Sequence, residues 1–361
     1  MNTFKIKATV ITPISIGNGT QYSPYRDYFI SENKVHYIEE RKLGDLLAKR
    51  ESLMDEYIEG VANMEGNRSR FDIKNFIRDS LSINPKEVVK KSLDFNGNAL
   101  AKLPINSFIK MPNGQPYIPG SSIKGALKTA LVYTDLEKTN MGEKWKSGFF
   151  QQLERIDFNR RVNERFLQRK LKDQLSELEV LLKKKAEIKN NVGVIERLIL
   201  SDSCKINEKQ LEVIDLRRTQ IPVRQEVLKI NTNFYFTISS SDKGWESLGE
   251  KLNRFAFNNL SEFQDNRKEV FSQIEKSFEN KHANIFLAIG FGKGVYLNSI
   301  LLSLKDYAYD NGKEKVYENY LNVLFPKTKE LNIDSFPTTM FKSFKENQPL
   351  GWVKLEKIKY G

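Results

Sequence analysis

Apolar residues occupy every second position from Phe4 to Val10, with polar or small residues between them. A period of two is typical of a strand that buries one face, so the chain is predicted to begin with a strand. A loop with glycines at positions 17 and 19 follows, where the backbone can adopt angles that other residues avoid. The segments DYFIS and KVHYIEE then predict a β-hairpin whose turn lies at residues 31–33.

Helical spacing appears in several longer segments. The charged residues 41–96 are predicted to be mostly helical and to form an insertion. In PGSSIKGALKTAL, apolar residues recur every four positions, which predicts a helix that begins after Gly120 with Ser121 or Ser122 as its N-cap. Leucines recur at steps of three and four within residues 143–190, which indicates a long amphipathic helix or a helical hairpin. Residues 244–281 have apolar spacing compatible with further helices.

The second half of the chain returns to strand patterns. The predicted strands are VIERLILSDS, QLEVIDLRR, QEVLKINTNFYFTISS and NIFLAI, and a last segment, QPLGWVKLEKIKY, closes the chain. An order of strand, glycine loop, strands, helix and strand thus occurs twice in loose form, before and after about residue 205. We therefore predict an α+β protein with two ferredoxin-like (RRM-like) β-α-β-β-α-β domains. The first would span 1–205, with helical insertions near 41–96 and 143–190, and the second would span 206–361.

The charge of the chain indicates its class of partner. Its 361 residues include 58 Lys and Arg against 46 Asp and Glu, which gives a formal charge of +12. A basic surplus favours polyanions, either nucleic acid or an anionic membrane. No apolar run approaches the length of a membrane-spanning helix, and the first residues lack the pattern of a signal peptide. We expect a cytoplasmic protein that binds nucleic acid and not a membrane.

Cysteine and histidine are scarce. The chain has one Cys and two His, so it cannot form an internal disulfide and is poorly supplied for a zinc site. No metal and no cofactor are predicted. His36 lies in a strand-like run and His282 follows a charged segment, and both are predicted to be surface residues rather than catalysts.

Residues 120–129, GSSIKGALKT, combine glycine, lysine and threonine at a predicted helix start. They do not form a phosphate-binding Walker loop, because Gly125 is followed by Ala126 rather than by Lys. A glycine-serine turn at a helix N-terminus still presents backbone N–H groups and the positive end of the helix dipole, which suit a phosphate. Lys124 and Lys128 are four residues apart and could reach neighbouring phosphates. The alternative is an ordinary capped helix with two solvated lysines.

A second glycine motif, GFGKG at residues 290–294, follows an apolar predicted strand. It is not a dinucleotide-binding fingerprint, because that motif needs a further glycine where Val295 stands and a helix where strand-like residues follow. Three glycines still let a backbone approach a ligand closely, with Lys293 placed to meet a phosphate. The alternative is a simple hairpin turn.

Together, ITPISIGNG, PGSSIKGALKTAL and GFGKG resemble the landmarks of the RAMP proteins, which are repeat-associated Cas proteins with RRM-like folds. The ending PTTMFKSFKENQPLGWVKLEKI and the length of the chain are most similar to the fifth Csm subunit of type III-A CRISPR effectors. The resemblance implies a structural subunit that binds the guide RNA (crRNA) and caps its 3′ side in a cytoplasmic ribonucleoprotein for antiviral defence. It also implies contact with the neighbouring Csm backbone subunit and other effector subunits. Such a subunit is needed for crRNA maturation without being the nuclease, so host nucleases are candidates for trimming the crRNA.

The resemblance and the loop chemistry together predict where RNA binds. The predicted RNA-binding residues are Gly17, Asn18, Gly19, Gly120, Ser121, Ser122, Lys124, Lys128, Gly290, Gly292, Lys293 and Gly294. Many relatives have His where this chain has Ser15, so any role of that His is absent here. The chain also lacks the aromatic RNP1 run of sequence-specific RRMs. This predicts that loops and lysines hold the RNA backbone, which suits a guide of variable sequence.

No catalytic residue is predicted, although Asp27 is the best candidate for one. In related backbone subunits an Asp in the loop after the first strand cleaves RNA with a metal ion, and Asp27 has a broadly similar place. Its flanking residues Arg26 and Tyr28 differ from the glycine-rich surroundings of those loops, and the Asp could instead cap a turn or pair with Arg26. The segments SDS at 201–203 and DLRR at 215–218 are predicted to be structural. A metal-dependent endoribonuclease using Asp27 and an unrelated basic binding protein remain the alternatives.

Overall fold

The part of the chain that the computed structural model describes folds into two β-sheets with helices packed on them. The described residues are 2–65, 71–156, 158, 165–167, 169–170, 172–174, 176–177, 199–217, 222–240, 245–262, 272–273, 275–276, 284–325, 342–343 and 349–358. The strands are β1 (Asn2–Val10), β2 (Gly17–Tyr22), β3 (Tyr28–Ser31), β4 (Lys34–Ile38), β5 (Val89–Asn96), β6 (Ile105–Phe108), β7 (Ile199–Leu200), β8 (Leu211–Arg217), β9 (Pro222–Leu228), β10 (Asn233–Ser240), β11 (Asn284–Ala288), β12 (Lys342–Ser343) and β13 (Trp352–Lys357). The helices are α1 (Glu40–Leu47), α2 (Glu51–Glu65), α3 (Ile73–Asp79), α4 (Gly120–Lys138), α5 (Asn140–Glu154), α6 (Trp245–Ser261), α7 (Leu301–Asp310) and α8 (Glu314–Leu324). Short 3₁₀ helices lie at Pro85–Val88, Glu208–Gln210 and Tyr296–Asn298.

The smaller sheet has five strands in the order β11-β13-β1-β10-β7, and each neighbouring pair is antiparallel. Along the chain, β1, α4, β7, β10, α6 and β13 follow the β-α-β-β-α-β order of a ferredoxin-like unit. Helices α4 and α6 pack on each other, and α6 also packs on β11. The last strand, β13, lies between β1 and β11, so the two ends of the chain meet in the middle of this sheet.

The larger sheet has the order β2-β6-β9-β8-β5-β4-β3, with β12 paired to β8. Two of its pairs, β5 with β8 and β6 with β9, are parallel. Its edge strand β2 carries Gly17 and Gly19 and begins directly after the connection from β1. Glycine weakens a strand interior, and strands that contain it are often irregular. The register between β2 and β6 shifts between Gly17 and Gln21 in this way.

Both sheets contribute to one hydrophobic core. Ile6 and Phe236 of the smaller sheet belong to the same buried cluster as Tyr37 and Val213 of the larger sheet. Each sheet also combines strands from before and after residue 205, since β1 pairs with β10 and β5 pairs with β8. The α+β fold class is confirmed, and the domain boundary at residue 205 stays a prediction.

Several predicted elements are confirmed locally. The hairpin of β3 and β4 has its turn at Glu32 and Asn33, whose φ angles of 54° and 55° are those of a type I′ turn.

The insertion at 41–96 is only partly helical, because its last residues form β5. In β5, Leu93 and Phe95 are buried at alternate positions. The helical prediction for residues 89–96 is therefore wrong, because charged neighbours hid the alternation of buried and exposed residues that is typical of a strand.

The residues after GFGKG also differ from their prediction. They form a 3₁₀ turn at Tyr296–Asn298 and then α7, and not a strand. A short apolar run such as YLNSILLSL fits a buried strand and a buried helix equally well. Of the predicted helix over 143–190, the first part lies in α5 and the described residues between 165 and 177 are helical. Most of the remainder lies outside the described residues.

Candidate nucleic-acid interface

The first glycine motif lies at the exposed edge of the larger sheet. Gly17, Asn18 and Gly19 at the start of β2 are all exposed. Gly19 has a φ of 86°, and a Cβ atom added there would have no atom within 4 Å. The Asn18 side chain is turned back to the chain, because its Oδ1 accepts a hydrogen bond from Thr20 N at 2.9 Å. This segment therefore presents accessible backbone rather than bulky side chains.

The second glycine motif, residues 290–294, packs directly against Ser15 and Ile16, which precede the first motif. The Phe291 N–H donates to the carbonyl of Ser15 at 2.7 Å. Gly290 has a φ of 79°, and a Cβ atom there would lie 2.3 Å from the same carbonyl oxygen. Only glycine suits this position, because both the backbone angle and the close approach exclude a side chain. We call residues 15–19 and 290–294 the paired loops.

The C-terminal segment completes this arrangement. Gly351 N donates to the Pro13 carbonyl at 2.9 Å, and Ile289 N donates to the Gly351 carbonyl at 2.8 Å. Gly351 has a φ of 88°, and its Cβ would lie 2.4 Å from the Ile289 carbonyl oxygen. Gly351 was not among the predicted RNA-binding residues. The glycine before the final strand, in QPLGW, is the signal that could have identified it.

Ser15 is buried in the fold. Its hydroxyl donates to Gln225 Oε1 on β9 at 2.8 Å. The Ser15 side chain therefore links the first of the paired loops to the larger sheet. Its backbone carbonyl accepts the hydrogen bond from Phe291 in the second of the paired loops. The residue has a positioning role that its sequence context did not reveal.

Lys293 is buried and does not extend into solvent as its phosphate assignment requires. Only 7% of the residue is exposed, and its ammonium group donates to the carbonyl of Ala288 at 3.2 Å. Burial lowers the pKa of Lys293 to about 8, because removal from water disfavours the charged form. Its side chain therefore anchors the second loop from the inside.

The N-terminus of α4 is already occupied by a carboxylate of the protein. Asp202 Oδ1 accepts a hydrogen bond from Gly120 N at 2.8 Å. The N-cap is Pro119 and not Ser121 or Ser122, so that part of the prediction is wrong. A Cβ at Gly120 would lie 2.8 Å from the Ser201 carbonyl oxygen. The SDS segment is thus structural, as predicted: it closes on the helix start with a negative charge that the helix dipole favours.

The lysines of α4 differ in their surroundings. Lys124 is exposed, and Lys128 is half-buried and has contacts within the protein. The start of α4 lies beside β7, whereas residues 290–294 follow β11, and these two strands are the opposite edges of the smaller sheet. Four strand spacings separate them, roughly 19 Å. The structure therefore joins the first two predicted motifs through Ser15, whereas the start of α4 lies beside the opposite edge strand of the smaller sheet.

Asp27, the catalytic candidate, has partners that match a structural role. Its Oδ2 accepts a hydrogen bond from Ser23 N at 2.6 Å, and its Oδ1 lies 3.2 Å from Arg26 Nε. The carboxylate thereby closes the Ser23–Asp27 turn, whose ends are also joined by Asp27 N donating to the Ser23 carbonyl at 3.0 Å. Within the described ranges, no three His, Cys, Asp or Glu side chains are grouped so as to hold a metal ion.

His36 is buried in the larger sheet, so its assignment to the surface is wrong. Only 5% of the residue is exposed, and its ring stacks on Phe29 with centroids 5.0 Å apart. Its Nδ1 lies 2.8 Å from Ser92 Oγ. Burial lowers the pKa of His36 below its ordinary value. The other histidine, His282, lies outside the described residues.

A cavity of about 630 Å³ opens next to the Asp27 turn. Its lining residues are Tyr22, Asp27, Tyr37, Ile38, Glu39, Glu40, Lys90, Lys91, Lys110, Pro112, Asn113, Gly114 and Glu208. The lining includes three lysines and four carboxylates, so its charge does not favour a phosphate. We therefore do not include this cavity in the nucleic-acid interface.

Two lysines of this cavity are held by a buried carboxylate. Glu226 accepts a hydrogen bond from Lys110, and Lys91 Nζ lies 3.8 Å from it. The Tyr37 hydroxyl and the Phe108 amide each donate to Glu226 at 2.8 Å. Burial by itself would raise the pKa of Glu226, but the two ammonium groups outweigh this and lower it. Lys91 and Lys110 thus neutralise an internal charge.

Among the described residues, no helix combines the length and the apolar character needed to cross a membrane.

Comparisons with known proteins agree with this architecture. The chain is 28% identical to the CRISPR system Cms protein Csm5 of Methanocaldococcus jannaschii, over 98% of this chain and 88% of that protein. It is 33% identical to the Csm5 protein of Streptococcus thermophilus over 141 residues, which are 37% of this chain and 38% of that protein.

Two solved structures share the fold. One is a chain in the cryo-EM structure of a Csm-crRNA-target RNA ternary complex of a type III-A CRISPR-Cas system, with a TM-score of 0.66 and 22% identity over 98% of this chain and 100% of that chain. The other is the crystal structure of T. onnurineus Csm5, with a TM-score of 0.59 and 19% identity over 96% of this chain and 99% of that chain. The RAMP superfamily model matches residues 7–296. Because this match covers most of the sequence, the chain belongs to the RAMP superfamily.

Proposed function

We propose that this chain is a structural, crRNA-binding subunit of a type III-A CRISPR effector complex. Its similarity to Csm5 proteins over nearly the whole chain supports membership of such a complex. The shared fold with a chain of a Csm-crRNA-target RNA complex is consistent with this assignment. The formal charge of +12 favours a polyanionic partner.

The meeting of the paired loops is the observation that carries the RNA-binding part of the proposal. Gly17 to Gly19 are exposed, and they follow Ser15, whose carbonyl is contacted by Gly290 and Phe291. Backbone N–H groups without bulky side chains let a phosphodiester chain approach closely. Such contacts carry no sequence information, so they suit a guide RNA whose sequence varies. Lys124 would add a phosphate contact at the more distant start of α4.

The position of the subunit within the complex is inferred from the resemblance to the fifth Csm subunit. The subunit would cap the 3′ side of the crRNA in a cytoplasmic complex, contact the neighbouring Csm backbone subunit and be needed for crRNA maturation. Host nucleases, rather than this chain, would trim the RNA. The engagement of the Asp27 carboxylate by Ser23 and Arg26 supports a role without catalysis.

Purification of the tagged full-length chain from its host tests the assignment to a complex. We expect RNA and other Csm subunits to purify with it, and the guide portions of the RNAs to share no common sequence. Isolation of the chain without RNA or other Cas proteins would contradict the proposal and favour an unrelated basic binding protein.

Measuring RNA affinity across a salt series tests whether the protein holds the RNA through its phosphates. The affinity for unrelated single-stranded RNAs should fall similarly with rising salt, because counterions are released from phosphates. Strong preference for one sequence with little salt dependence would contradict the model.

The non-catalytic role is tested by Asp27→Asn in the assembled complex, which should leave every cleavage product unchanged. Loss of one product from an intact complex would favour the metal-dependent endoribonuclease instead. The matched control is Asp94→Asn, since Asp94 is an exposed carboxylate that pairs with Lys229 and lies outside the Asp27 turn.

A further inference from the structure

The smaller sheet carries an aromatic ring and lysines on the face that the helices do not cover. Helices α4 and α6 pack on its other face. Side chains alternate between the two faces along each strand, so Ile6 on β1 and Phe234 on β10 are buried while Lys5 and Tyr235 are exposed. We call the second set the open face, and its residues on β1, β10 and β13 are Lys5, Lys7, Tyr235, Thr237, Lys354 and Glu356.

The Tyr235 ring is available to a ligand. The residue keeps 36% of its surface exposed. Its backbone is fixed, because it pairs with Lys7 on β1 and its carbonyl accepts a hydrogen bond from Cys204 N at 2.8 Å. In the described part of the chain, its ring makes no stacking or cation–π contact and its hydroxyl has no hydrogen-bond partner. A ligand could therefore contact the ring without displacing another group of the protein.

Two ammonium groups lie close to this ring. Lys7 is directly opposite Tyr235, and Lys5 is opposite Thr237, which makes it the diagonal neighbour of Tyr235. In an antiparallel pair, Cβ atoms are about 4.5–5.5 Å apart in directly opposite residues and about 7–8 Å apart in diagonal ones. Both lysine side chains can therefore reach phosphates that flank a base stacked on the ring.

The charge of the open face favours a polyanion. Lys5 is exposed and forms no ion pair among the described residues. Glu356 is shared by Lys7 and Lys354, whose Nζ atoms lie 4.0 and 3.3 Å from its carboxylate oxygens. Three lysines thus face a single carboxylate. A basic surface that also offers an aromatic ring has the two features that hold single-stranded nucleic acid.

We propose that the open face binds a segment of single-stranded RNA, with one base stacked on Tyr235 and phosphates at Lys5 and Lys7. The inference rests on the proposed crRNA-binding function and adds a surface separate from the paired loops. Every base has a π-face, so stacking on one ring tolerates any sequence. The contact therefore suits a guide RNA whose sequence varies.

The first test compares Tyr235→Val and Tyr235→Phe in the full-length chain. Affinity for single-stranded RNAs of unrelated sequence is measured by fluorescence anisotropy across a salt series. Valine keeps a high strand propensity but has no π-face, so Tyr235→Val should bind about 5- to 140-fold more weakly. Its salt slope should stay unchanged, because stacking neutralises no phosphate. Tyr235→Phe should bind like wild type, since it keeps the aromatic face.

Tyr309→Ala is the matched control for the ring. Tyr309 is 41% exposed on α7 and lies outside the open face, so its removal should leave RNA affinity unchanged.

The second test is Lys5→Ala, which changes only an exposed side chain. If Lys5 contacts one phosphate, its removal should lower the salt slope by about 0.7 for single-stranded RNA. Lys209→Ala, at another exposed position, should keep the wild-type slope. An unchanged slope in Lys5→Ala would remove the phosphate contact from the proposal.

Equal RNA binding by wild type and Tyr235→Val, with the fold verified by circular dichroism, would overturn the inference and leave the proposed function standing. Loss of another Csm subunit from the purified complex at unchanged RNA affinity would also overturn it, because the open face would then be a protein interface. If the wild-type chain, alone and in its purified complex, binds no RNA, the proposed function fails as well.

Discussion

The paired loops and the start of α4 both combine glycines with lysine. They differ in that glycines of the paired loops are exposed, whereas the N–H group of Gly120 at the start of α4 is hydrogen-bonded within the protein. In the paired loops, Gly17 to Gly19 remain exposed, and the preceding Ser15 contacts Gly290 and Phe291. At α4, Asp202 accepts the hydrogen bond of Gly120. The comparison shows that a glycine-rich helix start becomes an anion site only if no carboxylate of the protein reaches it first.

The exposure of the lysines does not follow the exposure of the backbone in the paired loops and at the start of α4. Lys293 lies in the paired loops but is buried, whereas Lys124 lies at the start of α4 and is exposed. Motif membership therefore does not decide which charges can reach a ligand. Four variants, taken from the largest expected effect to the smallest, test this contrast.

Gly290→Ala should have the largest effect. Its Cβ would lie 2.3 Å from the Ser15 carbonyl oxygen at a φ of 79°. Overpacking together with a left-handed backbone should lower the free energy of unfolding by about 2–5 kcal/mol. RNA affinity should fall with it, because the paired loops would separate. Chemical denaturation and anisotropy measure the two effects.

Gly19→Ala is the matched control, since Gly19 has a φ of 86° but no atom within 4 Å of the added Cβ. It should cost only about 1–2 kcal/mol. Equal destabilisation by both variants would show that the contact between the loops is unimportant for stability.

Lys293→Met should change the pH dependence of stability. The unfolded chain keeps the Lys293 proton to near pH 10.4, whereas the folded chain loses it at about 8. Between these values the unfolded state binds more protons, so the free energy of unfolding should rise with pH, by about 3 kcal/mol in total. The methionine variant should lack this rise in denaturation measured from pH 7 to 10.5.

The same variant decides whether Lys293 contacts RNA. Its salt slope for RNA binding should equal that of wild type, because a buried ammonium group displaces no counterion. A slope lowered by about 0.7 would place Lys293 at a phosphate and contradict the anchoring role.

Asp202→Ala should destabilise α4 by about 1 kcal/mol, because it removes the partner of Gly120 N. RNA affinity should stay the same or rise slightly, since a negative charge is lost from the protein. Cys204→Ala, at a nearby exposed position, is the control for unfolding measured by circular dichroism. A marked loss of RNA binding at unchanged stability would show that Asp202 serves the RNA directly.

Lys124→Ala should have the smallest effect. If Lys124 contacts one phosphate, its removal lowers the salt slope by about 0.7 for single-stranded RNA. Stability should change by less than about 0.5 kcal/mol, because the side chain is exposed. Lys209→Ala, another exposed lysine, provides the comparison. A slope change larger than that of one contact would move the centre of the RNA site from the paired loops to α4.

Local patterns predicted several elements correctly because each depends on neighbours in sequence. The alternation from Phe4 to Val10 became β1, and the residues after Pro119 became a helix. The segment 89–96 was missed because its lysines and aspartate concealed the buried Leu93 and Phe95. Those charges pair across the sheet, as Asp94 does with Lys229, and such partners are invisible to a reading of local composition.

The candidate site could be predicted only in part. Its glycines were recognisable, since positive φ angles and close backbone approaches require glycine. The partners that give each glycine its role were not, because Ser15, Gly351 and Asp202 reach their contacts from distant parts of the chain.

The sequence by itself determined the α+β class, the basic charge and the presence of glycine motifs suited to backbone contacts. These follow from hydrophobic period, composition and backbone sterics, which act within a few residues. Only the tertiary structure decided that β13 lies beside β1, that Phe291 meets Ser15 and that Asp202 closes the start of α4. Each of these contacts joins residues far apart in the chain, and it forms because the shared core buries the strands and helices that carry them.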